Sequence, residues 1–229
     1  MRYFLESCCT SAADAVTAQR AGASRVELCT SLDIGGVTPS EELVRDTLIS
    51  LAEDAQSSSR SPIPVNVLVR PRGGDFVFSE DEIRQTIDGI EMCKRLIVRD
   101  SSGKEHRVNG VVVGALRPDG GIDMAAMRRL VAAARPLPVT FHRAFDECAD
   151  VDRALEDVIA LGCERLLTSG HEPDAFAGRF TLARLVRLAA GRTIILAGCG
   201  VRPHNIDAIA AASGAHEFHS STLTGWQQF

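Results

Sequence analysis

Residues 138–170, PVTFHRAFDECADVDRALEDVIALGCERLLTSG, decide the fold. The stretch opens on a short apolar run, 138–142, without strict polar alternation, as expected of a strand covered on both faces. A segment of helical period follows over 150–161. Gly162 then stops the helix by supplying a left-handed conformation, and a second apolar run, 164–168, begins almost at once. Strand, helix and strand joined this tightly form a parallel βαβ unit.

The same unit recurs outward in both directions. Further strands are expected near 3–8, 24–29, 64–69, 108–113, 193–197 and 215–219, and further helices near 11–21, 40–56, 79–98, 123–134, 181–190 and 203–212. Helix starts carry caps: Ser40 with Glu41 and Glu42, Ser79 followed by Glu82, and Asp123 before Met124. Pro203 suits a first helical turn. Eight strands in strict alternation with helices, and no linker, predict one (β/α)₈ TIM-type barrel domain over 1–229. An open doubly wound sheet is the alternative. It would show fewer strands and a Gly-rich turn after the first, where this chain has Ser7, Cys8, Cys9 and Thr10. After the eighth strand only 220–229 remain, too few for the closing C-terminal helix of a complete barrel. Either that helix is missing, or a partner subunit covers the flank.

Bulk properties narrow the function. The chain has 229 residues, 45% hydrophobic and 24% charged, with a formal net charge of −5 and no long Lys/Arg run. Nucleic acid and membrane surfaces are therefore not expected partners. Glu6 interrupts the first apolar run too early for a signal peptide. Seven cysteines at irregular spacing, without any C-x-x-C, read as reduced thiols, so a cytoplasmic location is expected.

In such a barrel the chemistry sits at the C-terminal strand ends. Glu6 and Cys8 end the first strand and Glu27 and Cys29 the second, each pair two residues apart and so on one strand face. The third ends with Arg70 and Arg72, the fifth with His142 and Arg143, the seventh with Gly198, Cys199 and Gly200, the eighth with His219 and Ser220. Cys93, Cys148 and Cys163 read as core residues, and His106, His171 and His216 as surface or packing residues. So much charge in one lumen requires mutual pairing or a ligand. Arg70, Arg72 and Arg143 suit a carboxylate or phosphate, with Gly198, Gly200 and Ser220 where many barrels bind phosphate through backbone N–H groups. Glu6 or Glu27 would then accept a proton and His142 or His219 act as acid or electrophile.

The segments Arg25–Cys29, 35–40, 70–76, 140–146, 167–170 and 217–220 resemble the CutC family over nearly the whole chain, RPRGGDF followed by TFHRAFD being the most specific. The resemblance implies a cytosolic, homo-oligomeric barrel (dimer or tetramer) associated with copper homeostasis. It implies copper(I) as ligand, held by the thiols of Cys8 and Cys29 with Cys9 as an addition; soft thiolates select Cu(I). Two functions stay open: copper(I) binding at the strand-end cysteines, and an acid–base enzyme acting on a small anionic metabolite in the barrel mouth.

Overall fold

The computed structural model describes residues 3–221. Its elements run β1 (Phe4–Cys9), α1 (Ala12–Arg20), β2 (Arg25–Leu28), α2 (Glu41–Ser57), β3 (Val65–Leu68), α3 (Glu80–Arg95), β4 (Ile97–Arg99), β5 (Glu105–Arg107), β6 (Gly110–Val113) and α4 (Met124–Ala134). They continue as β7 (Val139–Phe141), α5 (Val151–Ala160), β8 (Arg165–Thr168), α6 (Arg179–Ala189), β9 (Ile194–Ala197), α7 (Ile206–Ser213) and β10 (Glu217–Ser220). Eight parallel strands close a barrel in chain order, β1 to β3 and then β6 to β10, with β10 pairing back onto β1.

Local chemistry starts the helices where the sequence predicts. The Ser40 hydroxyl accepts the Leu43 N–H ahead of α2, and Ser79 with Glu82 forms a reciprocal capping box ahead of α3. Asp150 accepts two N–H groups at the start of α5, which buries Ala154, Leu155 and Val158 at helical spacing.

Alternation along the strands creates two interiors. Leu5, Cys9, Val26, Leu28, Val67, Val111, Phe141 and Phe218 face outward into one apolar core shared with the helices. Each large side chain buried there contributes roughly 1.5–3 kcal/mol. The lumen side is polar: Glu6, Arg25, Glu27, Asn66, Arg70, Thr140, His142 and Glu217 are all buried. An apolar patch, Cys8, Cys29, Leu68 and Val112, stands apart from the outer core.

Two boundaries differ from expectation. Helix α3 stops at Arg95, because Leu96 turns to extended backbone, and β4 and β5 then form an antiparallel hairpin between α3 and β6. Helix α7 begins at Ile206, with Pro203 in the turn before it. The expectation about a closing helix falls on 222–229, outside the described residues.

Candidate active site at the barrel mouth

Register assembles the floor of the site. In the parallel ladders Glu6 lies opposite both Arg25 and His219, and Cys8 lies opposite Glu27. These side chains therefore share a level and a face. The Glu6 carboxylate accepts a bond from Arg25 Nε and lies 2.8 Å from Nδ1 of His219. Arg25 also donates to Glu217 at 3.0 Å, and Glu217 accepts from Arg165 at 2.8 Å. Two acids and two guanidinium groups thus form a formally neutral quartet, linked in a row from Glu6 to Arg165 across β1, β2, β8 and β10, and Arg165 also pairs with Glu164. Burial alone would push the Glu6 carboxyl up, but His219 and Arg25 win and hold it at about 2.

One level higher the pairing is incomplete. Glu27 Oε2 is buried with no hydrogen-bond partner among the described residues, its nearest cation being His219 Nδ1 at 3.9 Å. Burial raises the Glu27 carboxyl to about 7, with His219 opposing and Glu6 reinforcing the rise. His219 itself is pushed down by burial, but the Glu27 and Glu6 carboxylates outweigh this and its pKa is raised. The Cys8 and Cys29 sulfurs lie 3.6 Å apart. The contact with Cys29, then burial, then the Glu27 charge all push the Cys8 thiol up. Donor atoms of Cys8, Glu27 and His219 lie within 4.8 Å of one another, a spacing that suits one metal ion.

Across the mouth stand Arg70 and His142. Arg70 Nη1 donates to the Gly35 and Gly36 carbonyls at 3.3 Å, and Nη2 donates to the Gly74 carbonyl at 2.5 Å. Its guanidinium lies 4.4 Å from the centre of the Phe76 ring. No carboxylate forms a salt bridge with it among the described residues, and its Nε is buried without a partner. His142 packs on the other neighbour of this cluster, 4.9 Å from Phe76, ring centre to ring centre. Its Nδ1 accepts the Ala144 N–H, so the ring proton sits on Nε2, which is buried and unpartnered. Burial, then the Arg70 charge, lower His142 to about 3, so the ring is neutral. Glu27, Cys8, Cys29, Arg70, His142 and His219 all line one cavity of about 820 Å³.

The other expected residues divide. Arg143 lines the cavity, half exposed and paired with Asp146 at 2.9 Å, and Gly200 lines it with positive φ. Gly198 makes room: a Cβ there would stand 2.4 Å from Leu167 and 3.3 Å from the His219 Cβ. Cys9 points away into the outer core, bonded to Ser7, because one step along a strand reverses the side chain. Arg72 turns out to Asp75 and Glu82 and covers Phe78. The Ser220 hydroxyl donates to the Val201 carbonyl. His171, expected to be a surface or packing residue, lines the cavity with positive φ and a buried, unpartnered Nε2. Its place two residues beyond Ser169, after the sixth barrel strand, was the signal that pointed there.

Comparison with known proteins agrees across the chain. The profile of the CutC family matches residues 3–224. A CutC family protein from Parabacteroides distasonis is 46% identical over 221 residues, covering 96% of this chain and 83% of its own. One from Xanthomonas axonopodis is 49% identical over 217 residues, covering 95% and 82%. The crystal structure of a Streptococcus agalactiae CutC, named for copper homeostasis, superposes with a TM-score of 0.85 at 30% identity, covering 97% of this chain and all of that one. A Rubisco-like protein from Rhodopseudomonas palustris, at 15% identity and a TM-score of 0.63, shares the fold alone and covers 99% of this chain and 61% of its own. No helix among the described residues is long and apolar enough to cross a membrane.

Proposed function

This chain belongs to the CutC family, and on that footing we propose that its barrel mouth binds a small anionic metabolite and performs acid–base chemistry on it. Arg70 carries the reading: a buried guanidinium with no carboxylate partner and an unsatisfied Nε faces a cavity large enough for a small molecule. An uncompensated buried charge is costly, and an anion would meet it with the fork geometry that arginine prefers. Glu27, with its pKa near neutrality, is the proton acceptor, and neutral His142 is the hydrogen-bond donor. His219, bonded to Glu6, lies 3.9 Å from Glu27 and supplies the nearest positive charge to it. Arg143 and Gly200 extend the anion site toward solvent.

The test is thermal stabilisation of metal-free protein by a panel of phosphorylated and carboxylate metabolites. A bound anion held at 100 times its Kd adds about 2.7 kcal/mol of apparent stability. That gain should vanish in Arg70→Ala. Stabilisation by no member of the panel, or gain retained in Arg70→Ala, would refute the assignment.

A second reading has its own observation. Cys8 and Cys29, 3.6 Å apart with His219 and Glu27 beside them, form a donor set that fits copper(I). The ion would replace the Cys8 thiol proton that the Cys29 contact, burial and Glu27 now favour, so capture would release protons. Retention of Cu(I) against a chelator, lost in Cys8→Ser and in Cys29→Ser, would establish it. The family likeness supports a homo-oligomer, which sedimentation would check. Seven unpaired cysteines support a reducing, cytoplasmic setting.

A further inference from the structure

Four buried polar atoms in one cavity lack partners, on Glu27, Arg70, His142 and His171, and they are of unequal kind. Arg70 Nε and His142 Nε2 are donors, and Glu27 Oε2 is an acceptor. Leaving such atoms unpaired is costly, so a ligand that meets the Arg70, His142 and Glu27 atoms offers two acceptors and one acidic hydrogen. A carbonyl compound bearing an anionic group, with a hydrogen on the carbon beside the carbonyl, has that complement.

The donor side is rigid. The Ala144 N–H fixes the His142 tautomer at 3.2 Å, and Phe76 packs on its ring. On the other side lies Gly114, where a Cβ would stand 2.5 Å from ring Cε1. A neutral imidazole N–H held this way polarises a carbonyl without itself supplying a proton.

The chain also limits how the carbonyl can be activated. It contains two lysines, Lys94 and Lys104. Lys94 is on α3, bonded to Glu91 and to the Ala133 carbonyl, and Lys104 is in the exposed turn between β4 and β5. Neither lines the cavity. No lysine among the described residues is placed to form a Schiff base at the site, and the substrate oxygen stays in place to be met by hydrogen bonds.

We infer that the site catalyses enolisation: proton abstraction from the carbon beside the carbonyl of a small anionic oxo compound, with Glu27 as base, His142 stabilising the enolate oxygen and Arg70 holding the anionic group. The Cα–H bond breaks and its proton passes to a Glu27 carboxylate oxygen. The C–H electron pair forms the C=C bond, and the carbonyl π pair moves to oxygen. Return of the proton from Glu27 to the same carbon, as the oxygen electron pair re-forms the C=O bond, regenerates the base, so no oxidant or reductant enters. This inference rests on the anion-binding reading and assigns its reaction.

The experiment uses 2-oxobutyrate and dihydroxyacetone phosphate as probes, one a carboxylate and one a phosphate. Loss of the proton signal beside the carbonyl is followed by NMR in D₂O, and binding is followed in parallel by thermal shift. The expected result is exchange of at least one probe with wild-type protein, at least 100-fold above the buffer rate. In Glu27→Gln it falls about 100-fold or more while the thermal shift persists, the range expected for removing a general base. If Glu27→Gln does not fold, Glu27→Asp, which withdraws the carboxylate, should show the same split. Stabilisation without exchange would overturn enolisation and leave the anion site standing. Stabilisation by neither probe would overturn both. Exchange undiminished in Glu27→Gln would overturn Glu27 as the base.

Discussion

Replacing Glu6 by Gln removes one negative charge from between Arg25 and His219 while keeping the shape of the side chain. The size of the effect follows from the carboxyl being held at about 2, against an ordinary 4.5. A depression of that size is worth about 3 kcal/mol of folding free energy at neutral pH. Breaking a buried ion pair from one side independently suggests about 3–5 kcal/mol. The sign is set by the lowered pKa. The stabilisation is fully present above the unfolded value and is lost as pH falls toward the folded one. Urea unfolding followed by circular dichroism, on wild type and variant side by side, isolates Glu6 because the other carboxylates cancel in the difference. The gap should be about 3 kcal/mol at pH 7, nearly as large at pH 4.5, and about 1.5 kcal/mol at pH 3. A gap under 1 kcal/mol at pH 7, or one that does not shrink on acidification, would refute the argument that the quartet and His219 hold this carboxylate ionised.

Glu27→Gln should behave oppositely: the raised carboxyl near 7 costs stability once ionised. The variant should gain up to about 3 kcal/mol over wild type at pH 8, and the gain should disappear as pH falls through 7 to 4.5. Denaturation at the two pH values decides. Gly114→Ala would push a methyl into the His142 ring; it should cost about 1–3 kcal/mol and abolish anion-dependent stabilisation, read by thermal shift. Arg72→Ala, half exposed and outside the cavity, should change stability by under about 1 kcal/mol and leave anion binding intact in the same assay. Cys9→Ala should leave Cu(I) retention unchanged where Cys8→Ser lowers it, as a chelator competition would show.

The barrel was legible because each strand announces itself twice, by its own apolar run and by the helix stop before it, as at Gly162. The β4–β5 hairpin was not, since Ile97 and Val98 continue an apolar pattern that α3 had already established, and three-residue strands carry too little periodicity to oppose it. Glu6, Glu27, Cys8 and Cys29 could be placed on a common inward face from their spacing of two. What spacing could not show is how differently the two carboxylates are treated. Glu6 is paired from two sides and Glu27 faces a cavity, a distinction made by register with β10, almost two hundred residues away. Likewise Arg70 and Arg72 look alike in the RPRGGDF segment. Strand parity sends the first inward, and a capping-box acid on α3, Glu82, draws the second outward.

The neutral quartet of Glu6, Arg25, Glu217 and Arg165 has a further consequence. Its formal charges cancel within the lower barrel, and it reaches the mouth through Glu6, which bonds His219 at 2.8 Å. Foundation and workplace are thus joined electrically through His219. Substitutions among the mouth loops that spare His219 can retune which ligand is accepted without disturbing what holds the staves together, so this barrel offers itself as a chassis on which new specificities can be installed from the top.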